Sequence, residues 1–141
     1  MYVKKVLVRE SKVNGNGVFA DELIERGSVV WKYKEDYDKA ISIEKYELLD
    51  DKQKAILNRI AYLSPTSNLY VYPPQDDPAI YTNHSNDEFN ISVVFDKEIS
   101  SEPFFVSNRV IEKGEELLNN YHDFDEAIKR QEITPGFLKK F

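Results

Sequence analysis

The sequence predicts a mainly β protein of several small sheets, interrupted by a single short helical insert. Three observations carry that reading. Short runs rich in Val, Ile, Phe and Tyr recur along the chain, glycine turns separate them, and one stretch, residues 51 to 63, has a helical period.

Residues 2 to 9 place Val3, Val6 and Val8 among Lys4, Lys5 and Arg9, the pattern of a half-buried strand. Asn14-Gly15-Asn16-Gly17 supplies residues that accept positive φ and predicts a hairpin turn. Val18-Phe19-Ala20 resumes extended structure, Glu25-Arg26-Gly27-Ser28 turns again, and Val29 to Tyr33 is the next strand. Asp50 can cap a helix with Gln53 reaching back, while Leu49, Ile56, Ile60 and Leu63 recur at helical spacing until Ser64-Pro65 stops the run. Leu69 to Tyr72 is a short strand closed by Pro73-Pro74, and residues 75 to 78 are a loop. Phe89 to Phe95 and Pro103 to Ser107 form a strand pair joined by the polar Asp96 to Glu102 segment. Glu112-Lys113-Gly114 turns, Leu117-Leu118 is a last short strand, and a capping box at Asp123 to Glu126 opens a short helix that ends by Thr134-Pro135-Gly136.

A chain of 141 residues fits one domain and can bury a working core. No apolar run approaches the roughly 20 residues that span a bilayer, so no membrane partner is expected. The absence of cysteine excludes disulfide frameworks, thiolate zinc sites and thiol nucleophiles, and favours an intracellular setting. Two histidines are too few for a His-based metal centre, so no metal is expected. A formal charge of -6 argues against direct nucleic-acid binding, which draws on clustered Lys and Arg, and suits a cationic peptide better.

Several residues could carry chemistry, each with a plainer alternative. Gly15 and Gly17 would let a ligand approach the backbone, or simply make the hairpin turn. His84, beside Asn83, could act as a base near its reference pKa, or satisfy backbone groups at a bend. No serine has the elbow signature of a Ser-His-Asp triad. Tyr121 is one of nine tyrosines and could be an ordinary packed aromatic; Glu112, Glu115 and Glu116 read as a solvated acidic turn. Phe124, Phe137 and Phe141 are most simply packing that ties the C-terminal tail down.

Taken in order, these segments resemble the SET-domain protein lysine methyltransferases. Asn14-Gly15-Asn16-Gly17-Val18-Phe19-Ala20 is similar to the family's first motif, and Glu25 to Val30 to the turn and strand after it. Asn83-His84-Ser85 with Asn90 resembles its Asn-His-Ser turn and later Asn, and Val110 to Leu117 with Tyr121 its closing motif. Ile80-Tyr81-Thr82 stands where Arg-Phe-Ile is common, the step from Asn83 to Asn90 is one residue longer than usual, and the family's cysteine-rich zinc segment is missing.

The resemblance implies a SET fold with a pseudoknot-like C-terminal crossing over residues 1–141: an N-terminal β part (2–34), an inserted helical part (35–79), a motif part (80–122) and a tail (123–141) that closes the site. It implies S-adenosylmethionine as cofactor and, as substrate, a protein or peptide with an exposed lysine, such as a histone. Gly15, Asn16, Gly17, Phe19, Asn83, His84 and Tyr121 would hold the cofactor. Tyr121 would be catalytic, orienting amine and methyl beside the cofactor. Tyr70, Tyr72, Tyr81, Phe124 and Phe137 are candidates for an aromatic lysine channel. The alternatives are an inactive SET-fold binding module, and a plain β-rich interaction domain in which Gly17, Asn83 and Tyr121 share no pocket.

Overall fold

The computed structural model describes residues 1–129 and shows four small sheets. Strands β1 (Val6–Glu10) and β2 (Asn16–Ala20) form an antiparallel hairpin in which Glu10 pairs with Asn16. Its turn is closed by the Ser11 N–H on the Gly15 carbonyl at 2.7 Å. Gly15 has φ +46, the left-handed region that the two Asn-Gly pairs led one to expect. The first strand is shorter than residues 2 to 9: Tyr2 instead forms an isolated bridge to Trp31.

Strand β3 (Val29–Trp31) lies in a second sheet, while β4 (Lys39–Ser42) opens a third and runs directly into α1 (Ile43–Glu47), which Ser42 caps. The sequence pattern predicts neither β4 nor α1. Helix α2 (Asp51–Ile60) starts as expected, with the Gln53 N–H on Asp50 Oδ1 at 2.8 Å and the Asp50 N–H on Gln53 Oε1 at 3.2 Å. It stops short of Leu63, however. Ala61 is extended, and β5 (Tyr62–Leu63) pairs with β6 (Leu69–Tyr72), the central strand of the sheet that also holds β4. Pairing with Tyr70 leaves Leu63 only 1% exposed, whereas no residue of α2 is buried. Sheet burial therefore outweighs one further helical turn.

A 3-10 turn at Pro78–Tyr81 delivers the chain to β7 (Asn83–His84). The expected pair appears as β8 (Ile91–Val94) and β9 (Phe104–Ser107), with β9 between β8 and β3. Strand β10 (Leu118–Asn119) then runs parallel to β7. A second 3-10 turn, Tyr121–Asp123, precedes α3 (Glu126–Lys129). The cap at this helix is Asp125 rather than Asp123: its Oδ1 accepts the Ala127 N–H and, from across the fold, the Leu63 N–H, each at 3.1 Å. The expected end at Thr134-Pro135-Gly136 lies outside the described residues.

The C-terminal run crosses back to the start of the chain. Ile111 bridges Ile24, Glu116 bridges Phe19, and the Leu117 N–H reaches the Val18 carbonyl at 2.8 Å. On its other side Asn90 takes hold. The Asn90 amide donates to the Glu116 carbonyl at 2.8 Å and accepts the Leu118 N–H at 2.9 Å, while its backbone N–H donates to the Leu118 carbonyl at 2.9 Å. Val18, Ile24, Ile111 and Leu117, all 0% exposed, fill the core between these elements. Asn90→Ala should leave a buried donor and a carbonyl unpaired and cost about 2 to 4 kcal/mol, read as a drop in the urea midpoint. An unchanged midpoint would show that the crossing does not depend on this side chain.

Candidate functional site

The residues singled out in the sequence gather around two cavities. The larger, about 280 Å³, is lined by Asn14, Gly15 and Asn16 of the hairpin turn, by Tyr81, Thr82 and Asn83, by Ile56, Arg59 and Ile60 of α2, and by Tyr121. The smaller, about 100 Å³, lies among aromatic side chains that include Tyr2, Trp31, Tyr62, Tyr72, Phe105 and Phe124. Tyr121 lines both, as do Thr82, Ile80, Arg59 and Ile60.

The hairpin turn is held against Asn83 by a carboxylate. Asn83 Nδ2 donates to the Asn14 carbonyl at 3.0 Å, the Asn16 carbonyl at 3.1 Å and Glu116 Oε2 at 2.9 Å. The Ser11 hydroxyl donates to the same carboxylate at 2.7 Å. Glycine at position 17 makes room for this arrangement, since an added Cβ would lie 2.8 Å from Glu116 Cδ and 3.0 Å from Ser11 Cβ. Gly17 is therefore needed for close packing within a strand, not for a turn. Glu116 is a half-buried brace, contrary to its reading as part of a solvated turn; the one sign in the sequence is its place next to a buried Leu117.

Tyr121 is fixed at both ends. Its N–H donates to His84 Nδ1 at 2.9 Å and its hydroxyl to the Thr82 carbonyl at 2.7 Å. The Thr82 hydroxyl in turn bonds the Tyr2 hydroxyl at 2.6 Å. Burial pushes the Tyr121 phenol far above its ordinary range, with the Asp125 charge adding to the effect, so the phenol stays protonated near neutral pH. Because Nδ1 of His84 accepts an N–H, the neutral ring carries its proton on Nε2. Burial lowers the His84 pKa from 6.5 and His122, whose ring is 5.5 Å away, lowers it further. His84 serves as a structural acceptor, and a role as base at the reacting centre has no geometric support.

Not all of the residues singled out in the sequence line a cavity. Gly17, Phe19, His84 and Tyr70 line neither cavity. Phe19 sits behind the wall, paired with Glu116 and covered by the Arg9 guanidinium 4.1 Å from its ring centroid. Tyr70 shares a strand face with Tyr72 but lies about 7 Å along the strand, where α1 supplies Tyr46 to stack on it at 4.2 Å. Tyr81 lines the larger cavity and not the aromatic one, whereas Tyr72 and Phe124 line the latter. Phe137 lies outside the described residues. Tyr2, Trp31, Thr82, Arg59 and Glu116 were missed; only Thr82, adjacent to Asn83, had any local signal.

Gly17→Ala should displace the Glu116 carboxylate and lower stability by about 1 to 3 kcal/mol in thermal unfolding; an unaltered midpoint would mean that the carboxylate moves aside freely. For His84, the folded pKa lies below the unfolded value near 6.5, so its contribution is complete above that value and is lost as pH falls toward the folded one. Between pH 7 and 5.5 the stability of the wild type should therefore decline, and His84→Asn should flatten the decline. Parallel pH profiles for the two proteins would exclude His84 as the titrating group.

The model of the SET domain matches residues 15–122. Among solved structures, a Plasmodium falciparum protein provisionally identified as a histone methyltransferase is 22% identical at a TM-score of 0.56, over 84% of this chain and 93% of its own. SET8 from Cryptosporidium is 29% identical at a TM-score of 0.59, over 84% of this chain and 57% of its own. The Chaetomium thermophilum Polycomb Repressive Complex 2 is 24% identical at a TM-score of 0.65, over 91% of this chain and 17% of its own. Among curated protein sequences, none matches this chain. With its hairpin turn, Asn-His turn and C-terminal tyrosine joined around the cavities, and with a family match covering most of its length, this chain belongs to the SET-domain family.

Proposed function

We propose that this chain is an S-adenosylmethionine-dependent protein-lysine N-methyltransferase. The observation that carries the reading is the position of Tyr121 on the walls of both cavities, one bordered by the Asn14–Asn16 turn, the other lined by several aromatic side chains. Family membership and the names of the SET8 and Plasmodium neighbours point the same way.

The larger cavity suits the cofactor. Asn14, Asn16, Asn83 and two tyrosines line it together with isoleucines and Arg59, and at Gly15 no heavy atom stands within 4 Å of where a Cβ would be. Gly15, Asn16, Asn83 and Tyr81 would hold the cofactor, and bound S-adenosylmethionine would supply a methyl group open to in-line displacement by an amine. The smaller cavity suits the lysine side chain. The aromatic part of its wall disfavours an ammonium, helping the lysine amine, with a reference pKa of about 10.4, to reach the neutral nucleophilic form. Tyr121 cannot take up the proton as a phenolate. With its own proton committed to Thr82, its oxygen remains an acceptor that can orient the amine N–H. Phe124 and Asp125, at the start of the 123–141 tail, line the aromatic cavity, which supports the reading that the tail closes the site. The net charge of -6 favours a basic substrate segment such as a histone tail.

Tyr121→Phe should reduce methyl transfer to a lysine-containing peptide by about 100-fold or more while cofactor affinity in calorimetry changes little. Full turnover in that variant would remove Tyr121 from the mechanism.

A further inference from the structure

Tyr2 lines the aromatic cavity although it lies ahead of residues 15–122, which the family model matches. Its hydroxyl bonds the Thr82 hydroxyl at 2.6 Å, and the Thr82 carbonyl accepts the Tyr121 hydroxyl at 2.7 Å. On the reading that Tyr121 orients the amine, we propose that Tyr2 is a positioning residue, which sets the aim of the Tyr121 hydroxyl by holding Thr82. The contact belongs to this pair of side chains: an isoleucine at position 82, common where the sequence resembles the family, has no hydroxyl to offer Tyr2.

Thr82 is held at three points. Its N–H donates to the Ala79 carbonyl at 3.2 Å, its hydroxyl meets Tyr2, and its carbonyl receives Tyr121. The first is a long bond at the end of a 3-10 turn, so the Tyr2 hydroxyl is the firmer constraint on where the carbonyl points. Tyr2 can give this support because its own backbone is anchored. The Met1 carbonyl accepts the Lys32 N–H at 3.1 Å and the Val3 N–H donates to the Val30 carbonyl at 2.8 Å, which lays Tyr2 along β3 opposite Trp31. Burial pushes the Tyr2 phenol far above its ordinary range, so it keeps its proton and its bond to Thr82 near neutral pH. His84 thus fixes the backbone of Tyr121, while the link from β3 through Tyr2 and Thr82 fixes its oxygen. Alignment of amine and methyl depends on the oxygen.

The test is steady-state methyl transfer to a lysine-containing peptide by Tyr2→Phe, Thr82→Val, Thr82→Ser and the Tyr2→Phe/Thr82→Val double variant, with thermal unfolding recorded for each. Tyr2→Phe keeps the ring on the cavity wall and removes only the hydroxyl. It should lower kcat about 10-fold while KM for the peptide stays within about twofold, and Thr82→Val should do the same. The double variant should lose no more than the worse single variant, and Thr82→Ser, which keeps the hydroxyl, should lose less than Thr82→Val. Adding Tyr2→Phe to Tyr121→Phe should cost nothing further, because the oxygen that Tyr2 aims is then gone. An unchanged kcat in Tyr2→Phe, losses that multiply in either double variant, or a loss matched by unfolding at the assay temperature would overturn the role of Tyr2 while the methyltransferase reading stands. A wild type that transfers no methyl group would overturn that reading and this assignment with it.

Discussion

The backbone of residues 115–119 has hydrogen-bond partners on both sides, and the fold depends on that double engagement. On one side Ala20 and Val18 of the N-terminal hairpin pair with Glu115 and Leu117; on the other, Asn90 and β7 take Glu116, Leu118 and Asn119. A segment buried in this way must pair every polar group it carries, since an orphaned buried amide costs about as much as a lost hydrogen bond. Asn90 meets the requirement with a side chain that both donates and accepts. Asn90 is 1% exposed, in keeping with a residue all of whose polar groups are paired.

The same run positions the site. Once Leu118 and Asn119 lie beside Asn83 and His84, Tyr121 can reach only a narrow set of partners, and it finds the His84 ring and the Thr82 carbonyl. Neither tie involves an ion. The centre between the cavities is built of a protonated phenol, a neutral imidazole, amides and aromatic faces, a setting better fitted to positioning a neutral amine than to abstracting a proton. The charged groups around it are Glu116 behind the hairpin turn, Arg59 on the inserted helix and Asp125 on the wall of the aromatic cavity.

Much of this was legible in the residues. Alternation and turn chemistry located the hairpin, β6, β8, β9 and the start of α2, because those signals are local. Local signals failed where a distant partner decided the outcome. Leu63 fits a helical stripe yet joins a strand, because β6 offers a ladder and a buried place. Tyr70 and Tyr72 alternate alike yet part company, because α1 covers one of them. Asp125, not Asp123, caps the last helix because the backbone of Leu63 lies within reach of its carboxylate.

By itself, the sequence determined the kind of fold, the turn at Gly15 and the capping box of α2. These follow from backbone preference and from the order of short segments, both properties of neighbouring residues. Only the tertiary structure decided that Gly17 is small for the sake of Glu116, that Phe19 and Tyr70 stand apart from the cavities, and that Tyr2, Trp31 and Arg59 border them. Such assignments depend on which surfaces meet, and residues as far apart as Ser11 and Glu116 come together only when the chain crosses itself.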